Sequence, residues 1–144
     1  MVNSNFGLGK EYLLKVEHNS DLIQFITAFA EKENIRAASF TAIGALKRSK
    51  LGFYDQKNRK YVWFSLPFPQ ELASCIGNIS IKNDRPFVHA HAVISDINGN
   101  TQAGHLLEGI VFAAEVYLKT LNIGRIERKD DAVTGLSLWD QKMG

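Results

Sequence analysis

The segment from Phe87 to Gly109 leaves the chain few ways to fold. It reads Phe-Val-His-Ala-His-Ala-Val-Ile-Ser-Asp-Ile-Asn-Gly-Asn-Thr-Gln-Ala-Gly-His-Leu-Leu-Glu-Gly, two strand-like stretches joined at Asn98-Gly99, a dipeptide favoured in hairpin turns. Three of the chain's four histidines, His89, His91 and His105, fall within it. Residues two apart in a strand point to one face, so His89 and His91 project together with about 7 Å between their α-carbons. His105 joins them only in one register. A two-residue loop of Asn98 and Gly99 sets Ala92 opposite His105 and turns the third ring away. A three-residue loop of Ile97, Asn98 and Gly99, with Gly99 left-handed, sets His91 opposite His105 and puts all three rings on one face. The second register is the one expected, with Gly104 supplying a bulge or close packing beside His105.

Three imidazoles on one face make a metal-site hypothesis, because zinc sites with an open position commonly take three protein ligands and leave the fourth to water or substrate. Zinc comes first, and nickel, copper or iron also suit imidazole. The competing reading is three partly buried sheet residues satisfied by hydrogen bonds. An ion held by neutral ligands keeps its charge and can acidify water, polarise a carbonyl or bind a carboxylate-bearing ligand. Catalysis would need an acid or base nearby. Glu108, Glu71 and Asp96 are the nearest in sequence, with Arg85 to orient an anion, and strict alternation turns Glu108 away from His105. His18 reads as a loop residue, and Cys75 as a buried, inert thiol in mid-strand. Neither a phosphate-binding glycine loop nor a Gly-x-Ser-x-Gly elbow is present.

The rest of the chain supplies a frame for that hairpin. After a loose start over Met1 to Lys10, a strand is expected from Glu11 to Glu17, then a helix capped by Asn19 or Ser20. Apolar residues at 22, 23, 26, 29 and 30 form one helical face to about Glu33, and Asn34 suits the left-handed residue that ends a helix. Strands follow at Ala37 to Ile43, interrupted by a bulge at Gly44, then at Leu51 to Tyr54 and Tyr61 to Ser65 as a hairpin. Pro67 and Pro69 mark a connection. Glu71 to Ile81 reads as a strand with Ala73, Cys75, Gly77, Ile79 and Ile81 on its apolar face, and Ile110 to Leu121 as a further long strand. Leu136, Leu138 and Trp139 are anchors in a polar C-terminal segment. The sum is an α+β fold over residues 1–144 as one domain. Its core is a mostly antiparallel, strongly twisted sheet of about seven strands with one main amphipathic helix packed on it.

Composition narrows the partners. Seventeen Lys and Arg against fifteen Asp and Glu give a net charge of +2, too balanced to call for a polyanion. The basic cluster from Lys47 to Lys60 straddles the expected hairpin and fits a guarded strand edge. No apolar run is long enough to span a bilayer, so no membrane partner is expected, and one cysteine with no leader-like start points to the reducing cytoplasm.

Several segments together resemble the plants-and-prokaryotes-conserved domain, the PPC family. They are Ile35 to Asp55, Glu71-Leu-Ala-Ser-Cys-Ile-Gly-Asn-Ile, His89-Ala-His91, Gly104-His105-Leu-Leu-Glu-Gly109 and Thr134-Gly-Leu-Ser-Leu. The resemblance implies an antiparallel sheet with a packed helix, assembly as a homotrimer, and His89, His91 and His105 as a metal-binding trio. It also carries an alternative, a DNA-binding or transcription-associated module. Plant members carry a separate Arg-Gly-Arg-Pro hook for the minor groove, which this sequence lacks.

Overall fold

The computed structural model describes residues 9–140, so the expected loose start at 1–8 lies outside the described residues. The chain runs β1 (Glu11–Val16), α1 (Leu22–Lys32), β2 (Ala38–Asp55), β3 (Lys60–Leu66), β4 (Gln70–Lys82), β5 (Arg85–Ser95), β6 (Thr101–Thr120), β7 (Arg128–Asp130) and β8 (Ser137–Trp139). The first six strands form one sheet in the order β1-β6-β5-β4-β2-β3, and a further β6–β2 pairing closes β2, β4, β5 and β6 on one another. β7 and β8 make a separate two-stranded sheet. All of these ladders are antiparallel, with one isolated parallel bridge joining Ile81 to Glu127.

The bulge expected at Gly44 is present, and two strands run on where separate ones were expected. β2 runs for 18 residues through Gly44, where the β4 register shifts between Ala42 and Gly44. β6 runs for 20 residues, merging the His105 strand with the Ile110 strand, while its register with β2 shifts at three places. A bulge bends a strand and lets pairing resume, so two long strands can wrap round a small core. On β4 a shift between Leu72 and Ser74 exchanges faces, so Leu72 is buried with Cys75 and Ala73 is exposed, against the alternation expected for Ala73.

Helix α1 packs on β5 and β6 through Leu22, Ile26 and Ala30. Beneath it, Val88, Ala90, Ala92 and Ile94 of β5 are buried, as are Leu106, Val111 and Leu118 of β6. Alternation along β5 therefore commits Phe87, His89 and His91 to the opposite face. Asn34, with φ 53°, follows the helix as expected, and Ile35 turns into the core.

The helix cap is Asp21, not Asn19 or Ser20. Asn19 is left-handed at φ 66° and Ser20 Oγ donates to the Glu17 carbonyl, so neither side chain is aimed at the first turn. One Asp21 oxygen accepts from Gln24 N at 2.8 Å and the other from Gly109 N at 2.8 Å, tying helix to β6. Asp21→Ala removes the cap and a charge-assisted bond together, an expected loss of about 2 kcal/mol read as a lower urea midpoint.

Candidate metal centre

The β5–β6 turn decides the site. Asp96 N donates to the Asn100 carbonyl, Gly99 N to the Asp96 carbonyl, and Gly99 has φ 80°, leaving Ile97, Asn98 and Gly99 as the three-residue loop. The Asp96 carboxylate braces it, accepting from Asn98 N, Asn100 N and Asn100 Nδ2. His91 then sits opposite His105, the register expected from the sequence.

All three histidines converge. Each offers a ring nitrogen within 4.8 Å of the others, a cluster that could hold a metal ion. Ring centroids stand 5.1 Å apart for His89–His91, 5.1 Å for His89–His105 and 5.6 Å for His91–His105. Ligands about 2.1 Å from a tetrahedral ion lie about 3.4 Å from one another, so small side-chain rotations bring the trio to ligand distance. His105 Nδ1 is buried without a hydrogen-bond partner among the described residues. Buried ring nitrogens normally have a partner, and a cation is one of the right kind.

Burial is the main cause that pulls the pKa of His89 down from 6.5 to about 4, with His105, Arg128 and His91 adding to it. His105 is also lowered to about 4, first by burial, then by His91 and Arg128. Both rings are neutral at pH 7, the form that ligates. The sign follows for the metal-free protein. Unfolding raises both pKa values to the ordinary 6.5, so between pH 6.5 and 4 the unfolded chain binds protons the folded chain refuses. Its stability is full above pH 6.5 and falls as pH drops toward 4, which urea midpoints measured across that range will show.

Aromatic side chains wall one side. Gly52 of β2 is opposite both His105 and Trp63, and having no side chain it leaves room for the rings. Tyr61 and Trp63 stack at 4.6 Å and meet His105 at 5.1 and 5.9 Å. Gly104 gives close packing, since a Cβ there would stand 2.7 Å from the Gly52 carbonyl oxygen. Arg128 of β7 also borders the histidine face, bonded to Asn78, the β4 partner of His89.

The remaining sequence candidates lie elsewhere. Arg85 pairs with Glu31 of the helix at 2.8 Å. Glu108 pairs with Arg48 at 3.4 Å, and a register shift separates it from Leu106, so simple alternation does not relate it to His105. Glu71 is exposed opposite Ser95, four residues or about 13 Å along β5 from His91. His18 bonds the Phe112 carbonyl at 2.8 Å, and Cys75 is fully buried with its thiol pushed up to about 12. Three of the six basic residues from Lys47 to Lys60 have side-chain partners: Lys47 donates to Asn19, Arg48 pairs with Glu108, and Arg59 donates to the Ala132 carbonyl.

The profile of the Plants and Prokaryotes Conserved (PCC) domain matches residues 3–122. The chain belongs to this PPC family. Two solved structures share its architecture closely. A metal-containing protein from Archaeoglobus fulgidus is 38% identical, with 98% of this chain and 100% of that one covered at a TM-score of 0.92. A PPC protein from Pyrococcus horikoshii is 40% identical, with 98% of each chain covered and a TM-score of 0.92. Among curated proteins, the bifunctional protein GlmU of Synechococcus sp. is 28% identical over 127 residues, and the match spans only 19% of its length.

Sequence reasoning found the trio and missed what surrounds it. Tyr61 and Trp63 carried a signal, because Gly52 is a gap in an aromatic-rich hairpin and a gap invites rings from the next strand. Arg128 carried none. It reaches the site through the Ile81–Glu127 bridge, between residues 46 apart in the chain.

Proposed function

We propose that this PPC protein is a homotrimer that holds a divalent transition metal, zinc first, on His89, His91 and His105 and uses it to bind or act on a small anionic ligand. The carrying observation is three ring nitrogens within 4.8 Å, one of them on His105, whose buried Nδ1 has no partner among the described residues. The metal-containing relative from Archaeoglobus fulgidus supports the same reading. When bound, the ion supplies an undiminished positive charge for a carboxylate, a carbonyl or a water molecule. This chain's own residues hold the His89 and His105 rings neutral and shield one side with Tyr61 and Trp63. Protein purified without a metal-affinity column is expected to carry close to one ion per chain by elemental analysis. Ion-free protein that also takes up none on addition of zinc would refute the reading.

Assembly is supported by apolar side chains on the outer surface of the sheet. Leu13, Tyr117 and Thr41 lie in one row across β1, β6 and β2, and Leu13 is 84% and Ile43 58% exposed. Such a surface marks an interaction site, and symmetric closure also covers strand edges. Light scattering is expected to give three times the chain mass, and Leu13→Glu with Ile43→Glu to lower it. A monomeric wild type would exclude the trimer. The DNA-binding alternative is less well supported, since Lys47, Arg48 and Arg59 of the basic cluster are engaged within the chain and the sequence has no minor-groove hook. No helix among the described residues is long and apolar enough to cross a membrane, and the free, buried thiol of Cys75 suits the reducing cytoplasm to which we assign the protein.

A further inference from the structure

Arg128 lies against the histidine face with no carboxylate partner among the described residues. Its Nε donates to Ser80 Oγ at 2.7 Å, Nη1 to the Ser137 carbonyl at 2.8 Å and Nη2 to Asn78 Oδ1 at 3.0 Å. All three acceptors are neutral, and no carboxylate among the described residues pairs with it. A guanidinium has five N–H donors, so one remains on each terminal nitrogen. Taking such a cation partly out of water without an opposite charge is costly.

The register fixes where that cation sits. Asn78 pairs with His89, and Ser80 with Phe87, so the guanidinium bridges two β4 side chains whose cross-strand partners carry the histidine face. Directly opposed side chains have β-carbons about 5 Å apart, which sets Arg128 one strand from His89. The Phe87 ring, 5.0 Å from the guanidinium carbon, and the Trp139 ring, at 6.0 Å, hold it in place. Arg128 also lies beyond residues 3–122, the part of the chain the family profile matches.

We propose that Arg128 is the carboxylate-binding residue of this site, receiving the acid group of a small organic acid whose second oxygen reaches the ion at the trio. This rests on the metal reading above. The cation alone would take any oxyanion, but Phe87 and Trp139 present ring surface beside it, and Tyr61 and Trp63 beside His105, which suits a carbon skeleton better than inorganic phosphate. The ligand class is therefore a carboxylate with a neighbouring hydroxyl or carbonyl oxygen.

The test follows the Arg128 Nε–H resonance by NMR in metal-free and zinc-loaded protein titrated with sodium lactate and, separately, with sodium phosphate. Lactate is expected to shift it in both forms, more tightly with zinc, and more tightly than phosphate does. Arg128→Gln is expected to weaken lactate binding by about tenfold or more, the scale of a lost charged hydrogen bond, at unchanged zinc content. Asp131→Ala separates charge from scaffold. It removes the carboxylate that accepts from Thr134 N and Oγ1 in the β7–β8 turn but keeps Arg128, so lactate affinity should hold. The proposal is overturned by an unmoved resonance, by tighter phosphate binding, or by equal losses in Arg128→Gln and Asp131→Ala. Protein that takes up no zinc yet shows the lactate shift refutes the metal reading alone. Should Arg128→Gln fail to fold, the wild-type titrations decide.

Discussion

His105→Ala is expected to weaken zinc binding by about a hundredfold to a thousandfold. Structural zinc sites with four ligands contribute about 10–16 kcal/mol, so each ligand carries about 3–4 kcal/mol, or two to three decades in affinity. His105 is the strongest of the three positions for this test. It comes from the strand opposite His89 and His91, its Nδ1 is the orphaned ring nitrogen, and Tyr61 and Trp63 pack against its ring. Two histidines left on one strand cannot enclose an ion from both sides of the hairpin. His18→Ala is the matched control, because His18 sits outside the cluster, bonded to the Phe112 carbonyl. Competition against a chromophoric chelator reads both variants. Equal affinities would remove His105 from the ligand set.

The second large effect is on stability. Gly104→Val is expected to cost about 3 kcal/mol, at the upper end for overpacking, because the clash is with backbone. A Cβ at Gly104 would stand 2.7 Å from the Gly52 carbonyl oxygen, 3.5 Å from its carbon and 3.6 Å from its nitrogen. Gly52 pairs with His105, so relief requires β2 and β6 to move apart beside the trio. Zinc affinity should fall with stability, since the strand that shifts is the one bearing His105. Gly99→Ala gives the contrast. Nothing lies within 4 Å of a Cβ there, and the cost is confined to its φ of 80°, about 1 kcal/mol. Urea unfolding orders the two, and a Gly104 variant as stable as the Gly99 variant would show that the close strand crossing does not matter.

Local chemistry made the hairpin legible. Alternation, the Asn98-Gly99 turn and the need for even register were enough to place His91 opposite His105, because each rests on residues a few positions apart. The helix was legible for the same reason, and its cap was misplaced by one or two residues because Asp21 is held from outside the helix, by Gly109 N. What the sequence hid depends on distant segments meeting. The bulge at Leu72/Ser74 and the shifts of β6 against β2 keep long strands wrapped on a closed core, and strict alternation cannot reveal them, whereas Gly44 marked its own bulge. Arg85 is the arginine nearest the trio in sequence, yet it lies at the start of β5 against the helix, paired with Glu31. Arg128 occupies the place beside the trio, carried there by a C-terminal hairpin that meets β4 across a long stretch of sequence.

X-ray absorption at the metal edge of protein purified without a metal-affinity column tests the centre most directly. A zinc edge is expected, with three imidazole nitrogens at about 2.0–2.1 Å and one further oxygen bound to the ion. A shell containing sulfur at about 2.3 Å, or oxygen alone with no imidazole scattering, would contradict a centre built from His89, His91 and His105.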